Sequence, residues 1–452
     1  MKLNFLGACR EVGRSAIFAE TSDTGIMLDC GINLGGEEKE ERYPYIPDEV
    51  MEKLDTVVIS HAHLDHSGYL PHLYARGWRG NVYTTKPTRD LMQLLLADYL
   101  NIARENDRAE FTMQDLNNLM RDIEYIEYGE KIQLPNSNHT KITLHKAGHI
   151  LGAALTRIED EKEEKSLLYT GDFSYRPTNI LEPSQTDIEP FDALITESTY
   201  GGKKDNLPGL KKKSQQLAKE VKKTVQKGGK VIIPSFGVGR AQELMITLDN
   251  YMQSGFIPNT QAYIDGMIKK ANSIHRQNVI HMKEEIPKRI LMAQENPFDP
   301  EYFNPPKTKD RSDVTDNNEP GIILTTSGML TGGPVIQYLK KLGHDPNNKI
   351  ILVGYQVEGT PGRALQEGAN TIELPKRNGE KEEIEINAKV KTLHFSAHSD
   401  REEILEYISN LPRPEKVYLV HGEEKKTKNM SKELEKRNYE TYVPKQKQEH
   451  QF

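Results

Sequence analysis

The stretch "VVISHAHLDHSG" (57–68) places His61, His63, Asp65 and His66 within six positions, directly after an apolar run. Residues at this alternating spacing do not all share one helix face, which favours a strand end or a tight loop. Imidazole and carboxylate groups are the ligands of zinc-like metals, and a rigid strand end supports such ligands. We therefore interpret the stretch as part of a metal site rather than as a histidine-rich surface loop.

Other segments offer metal ligands in similar surroundings. His149 lies in a glycine-flanked turn of "HKAGHILGAAL", Asp172 ends the apolar run of "LLYTGDFS", and His421 has the same position in "VYLVHGE". Any one of these side chains alone would more often be structural. As a set of strand-end His and Asp residues they predict further ligands, enough for two metal ions.

Length, composition and charge leave several functions open. The 452 residues predict two domains, and 36% hydrophobic with 28% charged residues is typical of a soluble globular protein. We expect a cytoplasmic protein without a membrane segment, because the sequence lacks a signal-peptide pattern and any apolar run near the ~18 residues that a membrane helix needs. Two cysteines exclude a disulfide framework. The net charge of −7 argues mildly against nucleic acid, but the lysines are clustered, so the partner stays open.

The pattern of apolar segments changes twice along the chain. Short strands joined by glycine turns dominate residues 1–205, whereas strands and helices alternate over 206–388 in the manner of a parallel α/β sheet. Residues 389–452 return to the histidine-bearing strands of the beginning. We predict one domain made of 1–205 and 389–452, with 206–388 inserted into it as a second domain.

Taken together, the motifs resemble those of a known enzyme family. "HAHLDHSG", "GHILGA", "TGDFS" and "LDCG" are similar to the ordered motifs of the metallo-β-lactamase superfamily. "ITESTYG", "FSAHSD", "LVHGE", "PSFGVGRAQELM" and "TTSGMLTGGP" resemble its β-CASP branch, and within it the nuclease subunit of the cleavage and polyadenylation specificity factor and its archaeal relatives. The resemblance implies an α/β fold, namely an αββα metallo-β-lactamase sandwich with an inserted parallel α/β β-CASP domain.

The resemblance also implies roles for individual residues. It implies two zinc ions, with manganese as an alternative: one held by His61, His63 and His149, the other by Asp65, His66 and His421, with Asp172 bridging them. Asp29 would orient the ligands from outside. His398 would be the general acid, with Glu197 as its partner and His394 as a minor alternative, and Asp65 is counted with them as catalytic.

The expected activity is hydrolysis of RNA phosphodiester bonds by a metal-activated water. Members with a histidine at the position of His421 resemble RNA-processing enzymes, which favours RNA over DNA in 3′-end processing or RNA turnover. We favour an endonuclease, with a 5′-to-3′ exonuclease as the alternative. A small-molecule hydrolase and a non-catalytic scaffold are the rivals from other classes.

Expectations about RNA contacts and partners rest on weaker patterns. Arg240 follows the strand–glycine–helix pattern "SFGVGR", whose helix N-terminus could bind phosphate, and Ser327 and Ser396 offer hydroxyls in "TTSGML" and "FSAHSD". A homodimer or other RNA-processing proteins are the expected protein partners. Since Met1 lies almost at the first strand, we expect no KH-type RNA-binding extension before the metal-binding domain.

Overall fold

The computed structural model describes residues 1–36, 38–105, 108–293, 296–375 and 380–452. The chain divides into two compact units. Unit 1 comprises Met1–Pro177, Leu181–Asn206 and Ala397–Phe452, and unit 2 comprises Thr178–Ile180 and Leu207–Ser396. Among the described residues, no helix is both long enough and apolar enough to cross a membrane.

The secondary structure before residue 207 belongs to unit 1. Its strands are β1 (Lys2–Phe5), β2 (Ile17–Glu20), β3 (Gly25–Leu28), β4 (Thr56–Val58), β5 (Asn81–Thr84), β6 (Ile123–Tyr125), β7 (Lys131–Gln133), β8 (Thr140–Lys146), β9 (Ala154–Asp160), β10 (Lys165–Tyr169) and β11 (Ala193–Glu197). Its helices are α1 (Lys39–Arg42), α2 (Asp48–Lys53), α3 (Leu64–Ser67), α4 (Leu70–Ala75), α5 (Lys86–Glu105) and α6 (Met113–Asp122).

The remaining elements complete unit 2 and then return to unit 1. Unit 2 has strands β12 (Lys230–Pro234), β13 (Gln261–Asp265), β14 (Phe303–Asn304), β15 (Gly321–Thr325), β16 (Lys349–Leu352), β17 (Thr371–Pro375), β18 (Lys381–Glu385) and β19 (Lys389–Thr392). Its helices are α7 (Leu210–Val225), α8 (Arg240–Gln253), α9 (Ile268–Gln277), a 3-10 helix (Val279–His281), α10 (Glu285–Ala293), α11 (Ser312–Thr315), α12 (Val335–Leu342) and α13 (Pro361–Gln366). Unit 1 ends with α14 (Arg401–Asn410), β20 (Lys416–Val420), α15 (Glu424–Glu435), β21 (Glu440–Tyr442) and β22 (Gln448–Gln451).

Unit 1 is built on two seven-stranded sheets. Their strand orders are β22-β1-β2-β3-β4-β5-β6 and β21-β20-β11-β10-β9-β8-β7. The sheets pack face to face, because Phe5 and Ile26 of the first sheet share one buried core with Ile158, Leu167 and Tyr418 of the second. Helix α5 packs beside β6, and α15 packs beside β20 and β21. This architecture is the predicted αββα sandwich.

Unit 2 is built on a parallel six-stranded sheet with the order β14-β13-β15-β12-β16-β19. Successive side chains of a strand face opposite sides of the sheet. Val231 and Ile233 therefore enter the core that contains Leu244 of α8, whereas Ile232 enters the core that contains Leu339 of α12. Helices cover both faces, as expected for a parallel sheet, and β17 and β18 form a separate antiparallel pair.

The strands of unit 1 end where the candidate ligands begin. β3 pairs with β4, and β11 pairs with β10 and β20, all in parallel, so the carboxyl ends of the strands within each group lie at one edge of their sheet. Sharp turns follow these ends: Asp29, Gly171 and His421 have φ values of 60°, 51° and 48°. A Cβ at Gly171 would lie 2.6 Å from the Ser60 side chain, so only glycine fits there without displacement.

The observed division differs from the predicted boundary at residue 389. Strand β19, Lys389–Thr392, pairs with β16 inside the sheet of unit 2, and unit 2 continues to Ser396. The strand-like sequence "VKTLHFSAH" therefore adds an edge strand to the second sheet instead of opening the last part of unit 1.

Acidification should weaken unit 2 through one buried histidine. His275 is buried in α9, its Nδ1 lies 2.8 Å from the Ala271 carbonyl oxygen, and burial lowers its pKa to about 4. Because the unfolded chain takes up a proton below about pH 6.5 and the folded chain does not, stability is full above that pH and falls between pH 6.5 and 4. We expect His275 to account for a loss of about 2 kcal/mol in unfolding free energy from pH 7 to pH 5.

Denaturant unfolding of the wild type and the His275→Met variant at both pH values measures this loss. The variant should lose less stability than the wild type on acidification. His344→Met, at an exposed position of the same unit, is the matched control and should follow the wild type. Identical pH dependence of all three proteins would contradict the assignment.

Candidate metal centre

Three imidazoles converge within unit 1. His63 Nδ1 lies 3.2 Å from His61 Nε2 and 3.3 Å from His149 Nε2. His61 and His63 follow β4, and His149 lies in the turn between β8 and β9, held by its Nδ1, which lies 3.1 Å from the Ala397 carbonyl oxygen. The three residues form a group with ligand atoms close enough to hold one metal ion.

Asp172 lies between this group and a second one. Its Oδ2 lies 3.7 Å from His61 Nε2 and 3.8 Å from His149 Nε2. The same oxygen lies 3.4 Å from His66 Nε2, and Asp172 Oδ1 lies 3.2 Å from His421 Nδ1. One carboxylate thus faces histidines of both groups.

The second group consists of Asp65, His66, Asp172 and His421, and it could also hold a metal ion. Asp65 Oδ2 lies 3.3 Å from His421 Nε2 and 3.8 Å from His66 Nε2. Asp65 and His66 belong to α3, directly after the first two histidines, whereas His421 follows β20. The chain brings the two segments together because the two sheets share one core.

Asp29 fixes the arrangement from behind. Its Oδ2 lies 2.7 Å from His66 Nδ1, and it accepts hydrogen bonds from the Tyr169 hydroxyl at 2.7 Å and the Ser60 hydroxyl at 2.8 Å. Its Oδ1 accepts a bond from the Ser60 backbone N–H at 2.7 Å. Since Asp29 holds His66 by Nδ1, Nε2 is directed at the site, which is how outer carboxylates orient histidine ligands.

His398 and Glu197 form a pair at the edge of the cluster. His398 Nδ1 lies 2.8 Å from Glu197 Oε2 and 3.8 Å from Asp172 Oδ2. Glu197 is fully buried, and its Oε1 accepts the Phe173 backbone N–H at 2.8 Å. His398, His149 and Asp172 also form a third group that could hold a metal, but the closer contact with Glu197 favours a proton-carrying imidazole.

The close packing of charged groups in the site shifts the pKa values of its side chains. Burial and His66 lower the pKa of His61, and burial and His398 lower the pKa of His149, both well below the usual range. Burial opposes the charge of Asp172, but His421 and His66 hold its pKa well below normal. Burial likewise opposes protonation of His398, yet Glu197 and Asp172 raise its pKa to about 9. Neutral His61 and His149 beside an ionised Asp172 have the protonation states that metal binding requires. His66 differs, because Asp172 and Asp65 outweigh the effect of burial and raise its pKa well above normal, so a metal there would displace a proton.

The residues present fit a divalent metal. Within the described part of the chain, His66 Nε2 and Asp172 Oδ1 are buried and lack a hydrogen bond of ordinary geometry, although each lies within 3.4 Å of a partner in the site. Buried polar atoms that converge without hydrogen-bonding each other are accounted for by a cation between them. The donors are nitrogen and oxygen only, which suits zinc or manganese.

The residues predicted for RNA contact lie in unit 2. Arg240 begins α8, and Ser327 follows β15. Their two loops meet at the carboxyl edge of the parallel sheet, where a Cβ on Gly328 would lie 3.0 Å from the Phe236 backbone nitrogen. Ser396 lies near the end of the unit, and its carbonyl oxygen accepts a hydrogen bond from Lys213 Nζ at 3.3 Å.

Three residues that the sequence analysis did not select form hydrogen bonds to candidate site residues but are not candidate ligands themselves. Ser60 and Tyr169 hold Asp29, and Thr199 lies between Glu197 and His421. A hydroxyl residue at a strand end next to a ligand motif is the only signal that they give, and it is shared by many structural residues.

Three family models match the chain. Residues 19–199 match a metallo-β-lactamase superfamily domain, residues 241–365 a β-CASP domain, and residues 383–444 the RNA specificity domain of Zn-dependent metallo-hydrolases. The chain belongs to the β-CASP family of the metallo-β-lactamase superfamily, which confirms the resemblance seen in the sequence. Members of this family are metal-dependent nucleic-acid hydrolases, and the chain is an enzyme of that class.

Its relatives include proteins named transcription termination factor FttA. The chain is 42% identical to the one from Methanocaldococcus jannaschii, over 98% of this chain and 70% of that protein. It is 39% identical to the one from Methanothermobacter thermautotrophicus, over 98% of this chain and 69% of that protein. A crystal structure of a protein of unknown function from Enterococcus faecalis V583 shares the fold, with a TM-score of 0.59, 13% identity and 99% coverage of both chains.

Replacing Asp29 should weaken metal binding without touching a ligand. In Asp29→Asn, an amide nitrogen can replace one of the acceptor oxygens, so His66 loses its fixed orientation. We expect divalent-metal affinity, measured by competition with a chromogenic chelator, to fall about 10–100-fold. Asp55→Asn is the control, since Asp55 also accepts backbone and hydroxyl hydrogen bonds but contacts Thr24 and Gly25. Equal metal affinities of the two variants would contradict the assignment.

Proposed function

We propose that this chain is a zinc-dependent ribonuclease that hydrolyses internal phosphodiester bonds of RNA. The observation that carries the proposal is the pair of buried Glu197 and partly buried His398, with 2.8 Å between Oε2 and Nδ1, beside two groups of potential metal ligands, both of which Asp172 faces. Non-catalytic relatives would not need a histidine held ready to give up a proton at such a place.

The ligand assignment follows the two groups. His61, His63 and His149 would hold one ion, and Asp65, His66 and His421 would hold the other, with the Asp172 carboxylate facing histidines of both groups. Divalent ions bound there would supply an activated water and neutralise charge on the phosphate oxygens. Zinc is proposed because histidine-rich N/O sites suit it, and manganese is the alternative.

His398 supplies the proton that the leaving oxygen requires. Its Nδ1–H donates to Glu197, so Nε2 is the ring nitrogen that we propose faces the substrate. Glu197 and Asp172 raise the pKa of His398 to about 9, against the effect of burial, so the imidazole is charged at neutral pH and acts as general acid. Glu197 is itself held by the Phe173 N–H and the Thr199 hydroxyl.

RNA is the proposed substrate class. The match of residues 383–444 to an RNA specificity domain and the histidine at position 421 both favour RNA over DNA. The name of the relatives, transcription termination factor, favours action at the 3′ ends of transcripts over general RNA turnover. Endonuclease action is preferred, and 5′-to-3′ exonuclease action is the second candidate.

The rival classes have less support. A scaffold would not need to keep all seven potential ligands together with the Glu197–His398 pair. A small-molecule hydrolase would not need the RNA specificity domain that the chain matches.

Replacing His398 should separate metal binding from catalysis. Because His398→Ala removes the proton donor and leaves the proposed ligands, we expect the cleavage rate to fall about 10²–10⁴-fold while metal content stays at the wild-type level. The assay uses RNA labelled internally and, in a second reaction, at its 5′ end, with metal read by atomic emission. His394→Ala is the matched control, at an exposed histidine of unit 2, and should keep full activity.

The cleavage products distinguish endonuclease from 5′-to-3′ exonuclease activity. Internal fragments from the wild type support the endonuclease, and mononucleotides released from the 5′ end support the exonuclease. Intact RNA despite full metal loading would contradict the ribonuclease proposal, and activity lost in His394→Ala but kept in His398→Ala would reverse the assignment of the acid.

Arg240, Ser327 and Ser396 are proposed as contacts to the RNA backbone in unit 2. Arg240 begins α8 directly after the loop that contains Phe236, and this loop meets the loop of Ser327, so a positive residue at this helix start suits a phosphate. For Arg240→Gln we expect weaker RNA binding and a decrease of about one in the slope of log K against log salt. Arg276→Gln, at an exposed position of α9, is the control, and an unchanged salt slope in both variants would contradict the contact.

A further inference from the structure

Thr199 occupies the space between the proposed general-acid pair and a proposed metal ligand. Its Oγ1 lies 2.6 Å from Glu197 Oε2, 3.2 Å from His421 Nδ1 and 3.0 Å from the His421 carbonyl oxygen. The side chain is fully buried, so water does not compete for these contacts.

The Thr199 hydroxyl has one proton and three possible hydrogen-bond partners. A hydroxyl donates once, and the carboxylate oxygen is both the nearest acceptor and the charged one, so the proton of Thr199 goes to Glu197. The oxygen of Thr199 then presents lone pairs to His421 Nδ1, which must carry a proton to make that bond. His421 is thereby held as the tautomer that bears its proton on Nδ1.

The tautomer decides which nitrogen is free to bind metal. With the proton on Nδ1, the lone pair of His421 is on Nε2, which lies 3.3 Å from Asp65 Oδ2 inside the second group. The competing acceptor is Asp172 Oδ1, also 3.2 Å from His421 Nδ1, but that oxygen has no hydrogen bond of ordinary geometry in the described residues. The Thr199 oxygen therefore accepts the hydrogen bond from His421 Nδ1–H, and Asp172 Oδ1 stays available to the metal site.

The geometry points to Thr199 as a positioning residue that connects the proton donor to the metal site. Through one carboxylate and one hydroxyl it joins His398, Glu197 and His421 in a continuous chain with links of 2.8, 2.6 and 3.2 Å. The same Glu197 oxygen that orients His398 thus orients His421 through Thr199. This role rests on the ligand assignment of the proposed function and adds a residue that the motifs did not select.

The test measures metal affinity and does not depend on RNA cleavage. Thr199→Val keeps the shape and removes the hydroxyl, so His421 Nδ1 turns to Asp172 and zinc affinity, measured by chelator competition, should fall about 10–100-fold. Thr199→Ser restores the hydroxyl and should restore the affinity. Thr196→Val is the matched control, because Thr196 is buried near the end of β11, three positions before Thr199, and among the described residues its hydroxyl forms only long bonds, to the Glu197 carbonyl oxygen and to Thr170.

Each result has one meaning. Weak zinc binding by Thr199→Val alone, with rescue by serine, supports the role. Wild-type affinity in Thr199→Val, or an equal loss in Thr196→Val, overturns it. If Thr199→Val does not fold by circular dichroism, Thr199→Ala against Thr199→Ser makes the same comparison. A wild type that binds zinc but leaves RNA intact contradicts the proposed ribonuclease and leaves the role of Thr199 to be decided by the affinities.

Discussion

The hydrogen bonds of the buried Asp29 carboxylate are the constraint on which the rest of the site depends. Asp29 follows β3, Ser60 follows β4 of the same sheet, and Tyr169 ends β10 of the facing sheet, so one side chain ties both sheets together at their carboxyl ends. The same carboxylate holds His66. A buried carboxyl group is stable in a dry core only when several groups donate hydrogen bonds to it. The donors to Asp29 come from both sheets, so the packing of the sandwich and the geometry of the site depend on each other.

Around this anchor, each sheet contributes a different part of the chemistry. The segment after β4 provides His61 and His63, whereas β10, β11 and β20 of the other sheet lead to Asp172, Glu197 and His421. The carboxyl ends of parallel strands collect side chains from distant parts of the sequence, which is why potential ligands more than 300 positions apart, such as Asp65 and His421, belong to one group. The proposed proton donor and the proposed metal ligands both contact the buried Asp172 carboxylate, so we expect a change in either to alter both.

Much of this could be predicted from sequence, because ligand chemistry is local. The spacing of "HAHLDH" and the strand-end positions of His149, Asp172 and His421 indicate donors without knowledge of the fold. The residues that orient these donors could not be found in this way. Whether Tyr169 or Thr199 contacts a site residue depends on which segment packs against it, and the packing is not visible in the sequence. The place of β19 in the sheet of unit 2 was not predicted for the same reason. The sequence of Lys389–Thr392 indicates a strand but does not indicate that the strand pairs with β16.

The most direct test of the central claim is a crystal structure of the zinc-loaded protein with anomalous data collected at the zinc edge. We expect two peaks about 3.5–4 Å apart, one bound by His61, His63 and His149 and the other by Asp65, His66 and His421, with Asp172 bound to both. His398 should contact Glu197 and neither peak. A single peak bound by His398, His149 and Asp172, or no peak near these residues, would contradict the proposed two-metal site.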